Sequence, residues 1–201
     1  MKTWEIRHAA QIGRAVKKQR GRRTAAWLEG RTETLGLKMT RQAIADLETG
    51  RRRYVTTAEL VVLAAALNTN PIALVYPDPS DTPENVIEVL PGVEVTGFQA
   101  AQWFSGHQSD LADAAIDADP DADADAEQSA RRRAALNAEL LNGWRQLDDL
   151  NQRRERITNV SGRKLTPEEL ELLDFYNTEI ESLRRLLQML DGNSRGIDGH
   201  A

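Results

Sequence analysis

Apolar residues in the first 76 positions recur at intervals of three and four, the spacing that places them on one face of an α-helix. Gly21, Gly36 and Gly50 interrupt the pattern, and threonine or asparagine precedes most new stretches, as at helix ends and helix starts. The spacing predicts five short helices that pack into an all-α domain over residues 1–76. Their apolar faces comprise Ile12, Val16, Trp27, Leu28, Leu35, Ala43, Ile44, Leu47, Leu60, Leu63, Ala64, Leu67, Ile72, Leu74 and Val75.

The pattern changes at a cluster of prolines that begins at Pro77, which is typical of a loop. Apolar residues on both sides of Pro91-Gly92 then predict a short β-hairpin, and a short helix around Phe98 to Phe104 follows. The whole segment, residues 77–107, is too small to fold alone. We therefore expect it to pack on the first domain as a small extension.

Residues 108–128 form an acidic stretch in which Asp and Ala alternate almost without interruption from Asp117 to Glu127. Such a run buries no apolar surface and repels itself, which predicts a disordered, extended linker. A calcium site is the alternative, because aspartates alternate from Asp121 onward as ligands do in an EF-hand loop. That loop needs glycine at its sixth position and glutamate at its twelfth, where this chain has Ala126 and Arg132. The linker is the preferred interpretation.

Helical spacing returns in residues 129–191 and predicts a helical hairpin similar to a coiled coil. Thr166-Pro167-Glu168-Glu169 is a helix-start signature in front of its second helix. A lone hairpin leaves one flank of each helix exposed, so we expect its seam to form a dimer; the alternative is that the seam is only the core of the hairpin. The seam comprises Leu140, Trp144, Leu147, Leu173, Tyr176, Ile180, Leu183, Leu187 and Leu190. Residues 192–201 are predicted to be a disordered tail.

Composition narrows the classes of function. The 201 residues contain no cysteine, which excludes disulfide scaffolds, zinc sites with thiolate ligands and thiol nucleophiles. His8, His107 and His200 are isolated from one another, and no glycine-rich phosphate loop or serine-histidine pattern occurs, so no enzyme, cofactor or metal site is predicted. No apolar run is long enough to span a bilayer and no signal peptide is recognisable. We expect a cytoplasmic protein that does not contact membranes.

The net charge of −5 conceals three segments of different charge. Residues 1–76 carry 14 basic and 6 acidic side chains, a net charge of +8; residues 77–130 carry 13 acidic side chains and no basic ones; residues 131–201 carry 12 of each. A basic first segment indicates a polyanionic partner such as DNA. A further hypothesis is that the acidic middle segment competes with DNA for this basic domain and weakens non-specific binding.

The residues from Thr24 to Arg53 carry the most specific motif. They predict a helix, a turn and a second helix, followed by Glu48-Thr49-Gly50-Arg51-Arg52-Arg53. This segment resembles the Cro/CI-type helix-turn-helix of phage repressors and of bacterial regulators in the XRE family, and the resemblance extends over about residues 12–76. The shared motifs are Ile12-Gly13 with Val16 and Arg20, Ala43-Ile44-x-x-Leu47-Glu48-x-Gly50-Arg51, and Leu60-x-x-Leu63-Ala64-x-Ala66-Leu67 to Pro71-x-x-Leu74.

The resemblance implies a five-helix, lambda-repressor-like domain that binds DNA. It also implies that Arg20 and Glu48 form a pair that locks the first helix to the recognition helix. The chain departs from the family pattern in a longer connection between Leu28 and Thr40, and in Glu29 at a position where a small residue is usual.

A helix capped by Thr40 presents its first turn to the major groove in this fold. Arg41 can then bond bidentately to guanine and Gln42 to adenine, while Asp46, one turn further on, accepts from cytosine or orients one of them. We expect phosphate contacts from the residues that flank this helix and from the N-terminus of the preceding one. These residues are Thr24, Lys38, Thr40, Arg51, Arg52 and Arg53.

The sequence thus predicts a sequence-specific DNA-binding transcriptional regulator. We expect a repressor that acts as a homodimer on a palindromic operator in double-stranded DNA. Two alternatives stay open. One is an antitoxin whose C-terminal helices bind a protein partner, the toxin, and the other is a phage or prophage immunity repressor.

Overall fold

The computed structural model describes residues 3–82, 84–109, 111, 123–159 and 163–197, the last six of these as backbone. This part of the chain is mainly helical, with eight helices and one two-stranded antiparallel sheet. The predicted mainly helical fold is therefore confirmed. The chain forms two compact units, one of Met1–Ser105 with Leu111–Ile116 and the other of Gly106–Asp110 with Asp117–Ala201.

Five helices begin the first unit, as the spacing of apolar residues predicts. They are α1 (Trp4–Arg20), α2 (Ala25–Thr34), α3 (Arg41–Glu48), α4 (Thr57–Leu67) and α5 (Pro71–Val75). Thr24, Thr40, Thr56 and Asn70 cap the last four, because each side-chain oxygen accepts a hydrogen bond from a backbone N–H of the first turn. These caps set where each helix begins.

The core of the first unit lies between these helices. Its most buried side chains are Val16, Leu28, Ile44, Leu47, Leu63, Leu74 and Val75. Gly13 lets α1 and α3 approach closely, since a Cβ atom at this position would lie 2.0 Å from the carbonyl oxygen of Leu47. A side chain is therefore incompatible with the observed crossing of the two helices.

The extension after α5 adds strand β1 (Val86–Leu90), strand β2 (Val93–Thr96) and helix α6 (Gly97–Phe104). The two strands pair as an antiparallel hairpin, with an irregularity between Glu88 and Leu90. Val89, Val95, Ala100 and Ala101 are buried in the same core as the five helices. The extension therefore folds onto the first domain rather than alone, and the first unit includes it up to Ser105.

The second unit contains two long helices, α7 (Ala124–Thr158) and α8 (Pro167–Ile197), which pack along each other as a hairpin. Thr166 accepts the backbone N–H of Glu169, and the Glu169 carboxylate accepts the N–H of Thr166, as the helix-start signature predicts. Arg163 adds an ion pair to the same carboxylate.

Both ends of this hairpin differ from the prediction. Helix α7 begins at Ala124, inside the predicted linker of residues 108–128, because Asp123 caps it and because acidic residues in the first turn favour a helix N-terminus. Helix α8 continues to Ile197, past the predicted boundary at residue 191, since no proline interrupts it there. The rest of the predicted tail, and residues 110 and 112–122 of the linker, lie outside the described residues.

The predicted dimer seam is the core of the hairpin in this structure. Leu147, Ile180 and Leu187 are buried between α7 and α8, and Leu140 and Leu183 pack against them. Leu173, Tyr176 and Leu190 are half-buried. Trp144 is the exception, with 57% of its surface exposed. In an antiparallel pair each helix covers one stripe of the other, so the residues with this spacing are covered inside a single chain.

None of the described helices combines the length and the apolar character that crossing a bilayer requires.

Candidate nucleic-acid interface

The inner face of helix α3 packs against the core, and its outer face is exposed. Ile44 and Leu47 are fully buried. Thr40 accepts the backbone N–H of Ala43 at 3.2 Å, which caps the first turn. On the outer face, Arg41 and Gln42 are exposed in that first turn. The core thus determines which residues of α3 face outward.

Asp46 organises the outer face of α3. Its Oδ1 accepts a hydrogen bond from Nε2 of Gln42 at 3.0 Å and another from Nε of Arg51 at 2.7 Å. The hydrogen bond from Gln42, and then that from Arg51, hold the pKa of Asp46 below its usual value. Asp46 therefore remains ionised at neutral pH and orients two neighbouring side chains.

Arg41 forms an ion pair with Glu29 of α2, with 3.1 Å between Nε and Oε2. The Arg41 side chain is 70% exposed, whereas that of Glu29 is 19% exposed. The nitrogen that lies against Glu29 is Nε, the inner nitrogen of the guanidinium. The sequence contained a signal for Glu29, since the regulators that this segment resembles have a small residue at that position. Nothing in the sequence indicated that Arg41 is its partner.

The three arginines after α3 have different surroundings. Arg51 is paired with Asp46, and Arg53 is paired with Glu5 of α1 at 2.9 Å while 70% of its side chain stays exposed. Arg52 differs, because its two terminal amino groups bond to the two carboxylate oxygens of Glu59 at 2.7 and 3.1 Å. Both of those side chains are mostly covered. Arg52 therefore anchors the start of α4, and it is the least accessible of the three.

The remaining predicted contact residues lie at helix starts and in the connection before α3. Thr24 accepts the N–H of Trp27 at 3.1 Å and leaves its own hydroxyl proton available to an acceptor. Lys38 is exposed and pairs with Glu33 at 3.1 Å. Its flexible side chain and exposed partner leave it able to exchange Glu33 for another anion.

Arg20 and Glu48 connect α1 to the end of α3. Nε and Nη2 of Arg20 each lie 2.7 Å from a different carboxylate oxygen of Glu48, in a bidentate pair. The hydrogen bond that Arg20 donates to Glu48 raises the pKa of Arg20. The side chains are only 14% and 7% exposed, so the pair is shielded from solvent. The resemblance implied this pair, and the structure brings the two residues together.

The long connection between α2 and α3 depends on Thr32, which sequence reasoning missed. Its hydroxyl donates to the carbonyl oxygen of Glu29 at 2.9 Å and accepts the N–H of Met39 at 3.1 Å. Thr32 is fully buried and Met39 is 3% exposed. The added residues are thus part of the core, and they fix where α3 begins.

Within the described ranges, no three His, Asp or Glu side chains lie close enough together to hold a metal ion. Asp121, from which the alternating aspartates run, lies outside those ranges. The chemistry that this surface offers is therefore hydrogen bonding and positive charge. Comparison with protein-family models, with characterised proteins and with solved structures finds no match for the chain.

Proposed function

We propose that this chain is a sequence-specific DNA-binding transcriptional regulator of the XRE type, with α3 as its recognition helix. The observation that carries the proposal is the exposure of Arg41 and Gln42 in the capped first turn of α3, opposite the buried Ile44 and Leu47. A helix presented in this way can enter the major groove with its first turn against the base edges. Because the DNA of a bacterium lies in its cytoplasm, the proposal also places the protein there.

The surroundings of the two side chains indicate which bases they read. Glu29 lies against Nε of Arg41, and 70% of the Arg41 side chain is exposed, so its terminal amino groups can reach O6 and N7 of a guanine. Asp46 takes one N–H of the Gln42 amide, which leaves the amide oxygen and the second N–H. This remaining pair matches N6 and N7 of adenine. We therefore expect a guanine and an adenine in each half-site.

The flanking cations supply contacts to the DNA backbone. Lys38, Arg51 and Arg53 are exposed around α3, and their acidic partners are exchangeable surface groups. Residues 1–76 carry a net charge of +8, which favours association with phosphates. We assign no phosphate contact to Arg52, because both of its terminal amino groups bond to Glu59. Thr24 and Thr40 can each donate a hydroxyl proton.

Selection of bound DNA from a random library tests the base contacts, with the full chain as the protein. We expect the wild type to return a motif that contains a guanine and an adenine. Arg41→Ala should relax the preference at the guanine and Gln42→Ala at the adenine, each by about tenfold or more. Arg185→Ala, on α8, removes an equally exposed arginine and should leave the motif unchanged. If the wild type and the three variants all bound DNA equally well and without sequence preference, direct readout would be refuted.

The salt dependence of affinity tests the phosphate contacts. Each phosphate neutralised adds about 0.9 to the slope of log affinity against log salt concentration. Arg53→Ala should therefore lower the slope by about one, and it should weaken binding to all sequences alike. An unchanged slope would remove Arg53 from the interface while leaving the base contacts of α3 intact.

We also propose that two chains associate through the outer faces of α7 and α8, which would match a palindromic operator. The core residues of the hairpin are already covered, but large apolar side chains remain exposed on these helices. They are Leu141, Trp144, Leu170, Leu172, Phe175, Leu186 and Met189. Light scattering on the purified chain should give the mass of a dimer, and Phe175→Ser should weaken the dimer more than Thr178→Ser.

An antitoxin is the second candidate function, because the same exposed face suits a different protein partner. A chain that stays monomeric and forms a stable complex with the protein encoded beside it would favour this candidate. DNA binding would then serve autoregulation. Whether a phage or a bacterium encodes the regulator does not change these contacts.

A further inference from the structure

A cavity of about 290 Å³ lies in the first unit, away from the outer face of α3. Its walls come from α1, α4, α5, α6 and the segment that follows Arg53, and most of its surface is apolar. Four of its side chains carry rings: Trp4, His8, Tyr54 and Phe104. A volume near 300 Å³ is at the lower end of the range for small-molecule sites.

The rings around the cavity are incompletely covered. Tyr54 is 62% exposed and Phe104 is 47% exposed, whereas aromatic side chains of a small domain usually bury most of their area. Trp4 stacks on His8 with 5.1 Å between ring centroids, and Phe104 contacts Tyr76 edge-on at 5.6 Å. These contacts hold two walls in place. The cavity is therefore formed before any ligand enters, and it offers ring faces to that ligand.

The charged group at this cavity is an acid. Glu5 lines the cavity, and both hydrogen bonds that it accepts from Arg53 end on the same oxygen, Oε1. Its pKa lies below the usual value because of a backbone hydrogen bond and the hydrogen bond from Arg53, so the group is a carboxylate at neutral pH. Burial lowers the pKa of His8, whose ring is therefore uncharged there. A carboxylate beside aromatic rings favours a cationic ligand.

We propose that this cavity is a binding site for a small aromatic amine. The ring of the ligand would lie among Trp4, Tyr54 and Phe104, and its ammonium group would donate to the carboxylate of Glu5. Because Arg53 is a proposed DNA contact, ligand binding at Glu5 would also regulate DNA binding; this consequence rests on the proposed function. An ammonium group that binds Glu5 competes with Arg53, and a released Arg53 becomes available to a DNA phosphate. The ligand would then act as a co-repressor or co-activator that strengthens DNA binding.

Three probes with the same ring test the proposal: tryptamine, indole and indole-3-acetate, which are cationic, neutral and anionic. Titration calorimetry on the full chain should show the strongest binding for tryptamine and the weakest for indole-3-acetate. Glu5→Gln should weaken tryptamine binding by about tenfold and leave indole nearly unchanged. Tyr54→Ala should weaken both. Phe98→Ala, which removes an exposed ring outside the cavity, is the matched control and should change neither.

Arg53→Gln separates ligand binding from a general effect on folding. This change removes the competing cation from Glu5, so it should tighten tryptamine binding, whereas damage to the fold would weaken it. Equal affinity for the three probes, or tryptamine binding that Glu5→Gln and Tyr54→Ala both leave intact, would overturn the proposal. The calorimetry contains no DNA, so its result is independent of DNA binding. Tryptamine that binds as expected without raising DNA affinity would refute only the regulatory consequence.

Discussion

The bidentate pair between Arg20 and Glu48 should be the strongest single link between α1 and α3. The pair consists of two hydrogen bonds of 2.7 Å, and the side chains of Arg20 and Glu48 are only 14% and 7% exposed. Removal of one partner leaves an unpaired charge with little access to water, which costs about 3 kcal/mol or more. Removal of both leaves no such charge. Arg20→Met and Glu48→Gln should each destabilise the first unit strongly, and the double variant should be more stable than Arg20→Met alone.

A double-mutant cycle measures this coupling. We expect about 2 kcal/mol or more between Arg20 and Glu48. The exposed pair of Lys38 and Glu33, with 50% and 57% of the side chains exposed, is the matched control and should give below about 1 kcal/mol. The energies can be read from hydrogen exchange of amides in α1 and α3, where 1.4 kcal/mol corresponds to about a tenfold change in protection.

The second unit supplies an internal reference for these measurements. Amides in α7 and α8 belong to a separate compact unit, so their exchange should not change in any of the variants. A coupling for Arg20 and Glu48 no larger than that of the exposed pair would refute the reasoning. It would mean that water reaches the pair in solution and that packing, including the close contact at Gly13, holds the two helices together.

Two further predictions concern a close contact and a pH dependence. Gly13→Ala should cost about 1–3 kcal/mol because the new methyl group meets the Leu47 carbonyl, whereas Gly30→Ala, in open space on α2, should be neutral or stabilising in the same thermal unfolding assay. The hydrogen bond from Arg163 lowers the pKa of Glu169 from 4.5 to about 2. Since this folded-state pKa is lowered, the stabilisation of the start of α8 should be complete above pH 4.5 and disappear as the pH falls towards 2. A carbon NMR titration should show this, and Glu169→Gln should abolish the step.

Much of the fold could be predicted because helix starts are local features. Thr24, Thr40 and Asn70 cap helices over two or three residues of sequence, and the apolar spacing within each helix shows which face is buried. The hairpin around Pro91-Gly92 was predictable for the same reason. The start of α7 was not, because the alternating Asp and Ala residues favour a linker by composition, and Asp123 caps the helix inside that stretch.

The candidate site was predictable as a set of exposed side chains but not as a network. Arg41 and Gln42 follow from their place after the cap of α3. Their partners do not, because Glu29 belongs to a different helix and its distance from Arg41 depends on how α2 crosses α3. The same holds for Arg52, which the sequence places in a basic cluster and which the fold pairs with Glu59 at the start of α4.

By itself, the sequence determined where helices form, which faces are apolar and where charge accumulates along the chain, because capping, periodicity and composition act over a few neighbouring residues. Only the tertiary structure decided which charges neutralise each other. Arg53 reaches Glu5 across 48 positions of sequence, and Arg41 pairs with Glu29 of a different helix. The sequence also left open which helix covers the apolar seam of α8, since the same spacing fits a partner helix within the chain or in a second copy. In the structure, α7 packs along α8 and buries that seam within the chain.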